Sequence, residues 1–189
     1  MTKPSQSQPE IRCAALLRAV NTGGRKVKMA ELREALAAAG FDAPTTLLAS
    51  GNVVLDVPPE DMGELAPRLE ELIRERFGLH SDVIVRDHAS LAQALAAHPF
   101  RSEEDNRARL HVVFLRDVPE PSLVAAMDPD RSPPDRFAVL GSEIHVHYPN
   151  GAGRSKLTLD WFERQLGTVG TARNLNTVEK LAALAAPQG

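Results

Sequence analysis

One cysteine, Cys13, occurs in 189 residues. No intramolecular disulfide can form, every four-cysteine zinc pattern is excluded, and a reducing, cytoplasmic setting is expected. Aromatic residues make up 4% of the chain, with one Trp and one Tyr, too few for a sheet that reads RNA by stacking bases on exposed strand rings. No stretch approaches the roughly 18 consecutive apolar residues of a membrane span. The opening MTKPSQSQPE has no apolar core of the kind a secretion signal carries, and residues 1–10 read as a disordered tail. Cations are also in deficit: Lys and Arg number 22 against 25 Asp and Glu, a formal net charge of -3. The surface as a whole therefore repels nucleic acid unless positive charge is segregated.

What is present suffices for a sizeable core, since 43% of the residues are hydrophobic. IRCAALLR, from Ile11, is a short apolar run that suits a strand buried on both faces. Met29, Leu32, Leu36 and Ala39 recur at helical spacing before Gly40. TTLLAS and NVVLDV are hairpin arms meeting around Ser50, Gly51 and Asn52. Met62, Leu65, Leu69, Leu72, Ile73 and Phe77 form one helical stripe stopped at Gly78, and SDVIVRD is the next strand. Strand, helix, strand, strand, helix, strand is the order of a split ferredoxin-like unit.

The second half runs through the same order without visible sequence repetition: RLHVVFL, PSLVAAM, RFAVLGSEIHVHY with its turn at Gly141 and Ser142, SKLTLDWFERQL, TARN, and a last helix from Thr177. The expected fold is α+β, two ferredoxin-like halves with antiparallel sheets packed together and extra connecting and C-terminal helices. The expected boundaries are a tail at 1–10, a first half at 11–87, a connecting helix and loop at 88–108, a second half with its C-terminal helix at 109–186, and a tail at 187–189. In each half the first and third strands are expected to run parallel side by side, so that loops leaving them share one rim.

Against the global charge, residues 11–30 hold Arg12, Arg18, Arg25, Lys26 and Lys28 and no acid. Gly23 and Gly24 let a backbone approach a ligand, the helix start that follows offers unpaired N–H groups, and the cations supply full charge. Together these favour a phosphate or carboxylate. YPNGAGRSKLT repeats the character, with Gly151 and Gly153 ahead of Arg154 and Lys156, but its order departs from that of a Walker A loop. In TARNLNTVEKL, Asn176 and Glu179 are spaced as a capping box. Arg173 and Asn174 add a charged fork and an amide before the helix. The alternative for all three loops is that the glycines shape turns and the cations are solvated.

LLRAVNTGGRKVKMAELREAL, SGNVVL, NGAGRSKLT and ARNLNTVEKL, in that order, make the chain similar to the bacterial domain of unknown function 1697 family. The resemblance implies paired ferredoxin-like halves and a shared surface built from the polar residues of these stretches, adding Ser50, Asn52 and Asn176 to the candidates. It implies no activity. The family pattern has glycine at position 19 and tryptophan at position 175, where this chain has Ala19 and Leu175.

Other constellations carry less. His145 and His147 share a strand face, and His111 on the neighbouring strand is expected to join them on the side away from Leu110, Val112 and Phe114. Packed histidines are the simpler reading, so no metal is assigned. Cys13 lies in a buried strand, Ser50 has no nucleophile elbow around it, and no catalytic residue or cofactor is named. The leading reading is an anionic small ligand held by Arg18, Asn21, Gly23, Gly24, Lys26, Lys28, Gly151, Gly153, Lys156, Arg173 and Asn174. A nucleic-acid module using the same cations, or a protein interaction module with no small ligand, are the alternatives.

Overall fold

The structure, a computed structural model, describes residues 10–21, 26–49 and 51–187. It contains two four-stranded antiparallel sheets with helices, an α+β architecture of two ferredoxin-like units. The contacts divide the chain into one unit running to His88 and taking in the residues from Ala185, and a second from Ala89 to Leu184.

In the first unit β1 (Ile11–Leu17), α1 (Met29–Ala38), β2 (Thr45–Leu47), β3 (Asn52–Val57), α2 (Leu65–Phe77) and β4 (Val83–Asp87) build a sheet of order β2-β3-β1-β4. Cys13, Ala15, Leu17, Val53, Leu55 and Val57 on one sheet face pack with Leu32 and Leu36 of α1 and Leu65, Leu69 and Ile73 of α2. The four-residue spacing on α2 puts its three leucine and isoleucine anchors on one stripe, each contributing roughly 1.5–3 kcal/mol by full burial. Gly78 ends the helix in the left-handed region at φ 62°, a conformation that is strained for any residue with a Cβ. Ala14, Leu16, Val54 and Ile84, on the other sheet face, are buried as well, which is why β1 reads as a continuous apolar run rather than an alternating one.

In the second unit α3 (His88–Ala96), β5 (Leu110–Leu115), α4 (Pro121–Ala125), β6 (Arg136–Leu140), β7 (Glu143–His147), α5 (Leu159–Leu166), β8 (Gly170–Asn174) and α6 (Leu175–Leu184) give a sheet of order β6-β7-β5-β8. Val113, Leu115, Ile144 and Val146 pack with Trp161, Phe162 and Leu166 of α5. Thr158 caps α5 by accepting from the Trp161 N–H at 3.2 Å, and Gly167 closes it at φ 66°.

The sheets correct one expectation. First and third strands of each unit are neighbours but antiparallel: Ala14 faces Val54 and Val112 faces His145. Loops that leave their C-terminal ends therefore emerge at opposite rims. The two units do repeat each other in detail, which the sequence hides. Leu17 N–H donates to the Gly51 carbonyl and Arg18 N–H to that of Asp82, both at 2.8 Å; Leu115 donates to Ser142 at 2.8 Å and Arg116 to Val169 at 2.9 Å in the same pattern. The counterpart of the basic loop after β1 is thus the loop after β5, beginning Arg116-Asp117, and not the loop containing Gly151.

Candidate functional site

Gly23, Gly24 and Ser50 lie outside the described residues. Around them, the described ends of the loop leaving β1 are joined by the side chain of Asn21. Asn21 donates its amide hydrogens to the carbonyls of Val27 at 3.1 Å and Ala49 at 2.6 Å, and its Oδ1 accepts from the Val27 N–H at 2.7 Å. All three positions of the amide are spent on joining the two ends of the loop to the β2–β3 turn. Asn21 stands at φ 61° and Ala19 at φ 56°. Asparagine tolerates the left-handed region through local hydrogen bonding, whereas alanine bears the strain there, and this is the position where the family pattern has glycine.

The turn that receives Asn21 is built just as tightly. A Cβ on Gly51, at φ 75°, would stand 2.9 Å from the Cβ of Leu17 and 3.1 Å from that of Val20. The glycine of SGNVVL is thus required by contact with β1. Asn52 is buried and donates to the Leu47 carbonyl at 2.8 Å, closing the hairpin it begins. Ser81 Oγ donates to the Arg18 carbonyl at 2.8 Å, so the β1 exit, the β2–β3 turn and the β4 entry form one rim of the first unit.

On this rim the cations stay outward. Arg18 is half-buried, while Lys26 and Lys28 are exposed. Arg12 is engaged elsewhere, with Asp56 at 2.5 Å. Lys28 pairs with Glu31 at 2.9 Å, and this bond raises the lysine's proton affinity above its ordinary value. Lys28 is also the residue at which α1 starts, and among the described residues no side chain caps that start. A cation at the positive end of a helix dipole is unfavourable unless an anion offsets it, and Glu31 in the first turn supplies that offset for Lys28.

In the second unit the ends of β7 and β8 share a rim with the start of β5, where Tyr148 N–H donates to the Arg109 carbonyl at 2.9 Å. Gly151, at φ 83°, opens a short 3-10 turn over Ala152–Arg154, and Gly153 meets nothing within 4 Å of a notional Cβ. The Lys156 side chain is exposed, and its N–H donates to Ser132 Oγ at 3.0 Å. Arg173 is 7% exposed and donates to Thr171 Oγ1 at 2.7 Å and the Ala172 carbonyl at 2.8 Å; burial lowers its pKa to about 10. It points to the sheet face of Val112, its register partner. Asn174 caps α6, its Oδ1 accepting from the Thr177 N–H at 3.0 Å and hydroxyl at 2.9 Å. The helix therefore begins at Leu175, two residues before the expected start, and Asn176 is an exposed residue of its first turn rather than its cap.

The histidine expectation is overturned by register. His147 faces Leu110 and His145 faces Val112, so both lie on the apolar side, while His111 takes the opposite face and meets the Tyr148 ring at 5.0 Å. Among the described residues no cluster of His, Cys, Asp and Glu is arranged to hold a metal ion. His145 and His147 instead meet His98, Phe100 and Glu104, a polar cluster that sequence spacing did not assemble. Burial pushes the Cys13 thiol up to about 12, far from the thiolate a nucleophile requires. Among the described residues no helix is long and apolar enough to cross a membrane.

A family model described as a protein of unknown function (DUF1697) matches residues 11–145. Among solved structures, the conserved bacterial protein SP0830 from Streptococcus pneumoniae is similar at a TM-score of 0.70 and 19% identity, covering 94% of this chain and 99% of that one. At that identity the likeness concerns the fold. No curated protein matches the chain.

Proposed function

The chain belongs to the DUF1697 family of proteins of unknown function, and from that premise we propose that the loop between β1 and α1 binds a small anion carrying a phosphate or carboxylate group. The observation that carries the reading is the start of α1. Among the described residues no side chain caps it, and it begins on Lys28, whereas α5 and α6 are capped by Thr158 and Asn174. An anion seated there would accept from first-turn N–H groups and offset Lys26, with Arg18 at the base of the loop and Lys28 shared with Glu31. Gly23 and Gly24 would admit it to the main chain.

Asn21 shapes the loop in this reading rather than touching the ligand. Its three hydrogen bonds hold the backbone in place before any ligand arrives, which lowers the ordering cost of binding. The corresponding loop of the second unit supports the same location by contrast: Arg116 is followed there by Asp117, whose carboxylate accepts from Thr168 at 3.1 Å, and by Glu120. The single cysteine, kept as a buried thiol, suits the reducing cytoplasm.

A thermal-shift panel of orthophosphate, pyrophosphate, AMP, citrate and a short single-stranded oligonucleotide tests the reading. A small anion that binds should raise Tm in wild type, by mass action, and fail to do so in Lys26→Glu. Equal shifts in both proteins, or none in either, would overturn the assignment. A response to the oligonucleotide alone, falling steeply with salt, would give the cations to a polynucleotide instead.

A further inference from the structure

Residues 97–106, between α3 and the 3-10 turn Arg107–Arg109, lie across one face of the second unit's sheet and are fastened there by ionisable groups. The His98 ring meets His145 edge to face at 4.9 Å, and Phe100 stacks on His147 at 6.0 Å. Glu103 pairs with Arg136 at 2.5 Å and Glu104 with His147 Nε2 at 3.3 Å. Arg136 also lies 4.6 Å over the Phe100 ring and 3.3 Å from His147 Nδ1. Because a guanidinium only donates, His147 Nδ1 is the acceptor and its Nε2 carries the proton given to Glu104.

The centre of this fastening is two neutral imidazoles. His98 is 3% exposed and His145 1%. His98 Nε2 is 3.2 Å from the His111 carbonyl and therefore donates, leaving its Nδ1 as a bare acceptor. Nδ1 of both rings is buried with no hydrogen-bond partner among the described residues. A proton added to either has no acceptor to point at, and two imidazolium rings in contact repel.

The groups facing the pair do not relieve this. Arg101 and Arg107 act on His98 from the segment and the 3-10 turn, and the nearby carboxylates Glu103, Glu104 and, on α6, Glu179 are paired with Arg136, Arg109 and Arg101. His147 is the remaining titratable neighbour. Burial comes first and these charges second in lowering the His98 pKa, and burial with His98 lowers His145.

We propose that the 97–106 segment is an acid-sensitive clasp: uptake of a proton by His98 or His145 releases the segment from the sheet while the sheet itself stays folded. Release uncovers His145 and His147 on β7 and sets the imidazoles of His98 and His145 in water, where each holds its proton. The core on the opposite face, around Trp161 and Phe162, makes none of the segment's contacts and stays folded when the segment leaves.

Hydrogen exchange by mass spectrometry, corrected for intrinsic rates, reads the clasp directly in the full chain. One proton linked to opening changes the open population about tenfold per pH unit. Between about pH 7 and about pH 5, protection of 97–106 should fall at least roughly tenfold, ahead of β7 and α5, which stay the better protected throughout. His145→Phe, which keeps a ring but takes up no proton, should flatten that dependence. Protection of 97–106 that does not change with pH, or that is lost together with β7 and α5, overturns the proposal from wild type alone.

Discussion

The side-chain amide of Asn21 donates to the main-chain carbonyl of Ala49 across 2.6 Å, tying the exit of the first strand to a turn 28 residues away in the chain. The same side chain bonds Val27 on the far side of its own loop, joining the described ends of the proposed anion site. Asn21→Ala removes two donors and an acceptor and leaves a methyl group in a left-handed conformation. At about 1 kcal/mol for each hydrogen bond lost, a destabilisation of about 2–4 kcal/mol is expected in urea unfolding. A change below about 0.5 kcal/mol would show that the loop holds its shape without it.

Ala19 offers the opposite case. At φ 56° it stands where glycine suffers no Cβ clash, so Ala19→Gly should stabilise the chain by about 0.5–1 kcal/mol, the left-handed penalty relieved less the entropy of the added freedom. A lower unfolding midpoint in the variant would contradict this.

Gly51→Ala should be among the most damaging small substitutions. The new methyl group would meet Leu17 Cβ at 2.9 Å, on a residue already at φ 75°, and neither atom sits at the end of a movable side chain. Strain and overpacking together put the loss at about 2–4 kcal/mol by equilibrium denaturation. A near-neutral result would mean that the β2–β3 turn and β1 are not in register as described.

Acid should destabilise the second unit. His111 and His145 are held by burial near about 4 when folded, against 6.5 in the ordinary case, and His98 is shifted the same way. Unfolded imidazoles take up protons first, so the stability of the neutral folded form is complete above pH 6.5 and declines as pH falls from 6.5 toward 4. His111 and His145 each contribute about 1.4 kcal/mol per pH unit within that window. His145→Phe should make the decline of urea midpoints shallower, and an unchanged slope would remove the histidine from the account.

Most of the fold was legible in the sequence because apolar periodicity and terminal glycines speak locally. Gly40, Gly78 and Gly167 all sit at positive φ just after helices, as their spacing suggested. The direction of β3 against β1 is a property of the whole unit, and assuming it parallel put two loops on the wrong rim. The cap of α6 failed for a local reason: Asn174 with Thr177 and Asn176 with Glu179 have the same spacing, and only the end of β8 chooses between them.

The candidate residues were legible as polar loop positions, and the backbone groups they meet were not. Asn21, Asn52 and Asn174 look alike as ligand-orienting amides in the sequence, yet each satisfies backbone groups brought near by sheet register or helix start. Which face His145 and His147 take relative to Leu110 is likewise a matter of pairing with β5. The segment around His98 reads as a connector because its partners lie on strands far along the chain.

The anion site is most directly tested by amide chemical shifts during a pyrophosphate titration of the isotopically labelled protein. The account predicts saturable shifts concentrated on the N–H groups of Lys26, Val27 and the first turn of α1 at Met29, Ala30 and Glu31, abolished in Lys26→Glu. Shifts confined to the second unit, or a spectrum indifferent to pyrophosphate, citrate and AMP alike, would contradict it.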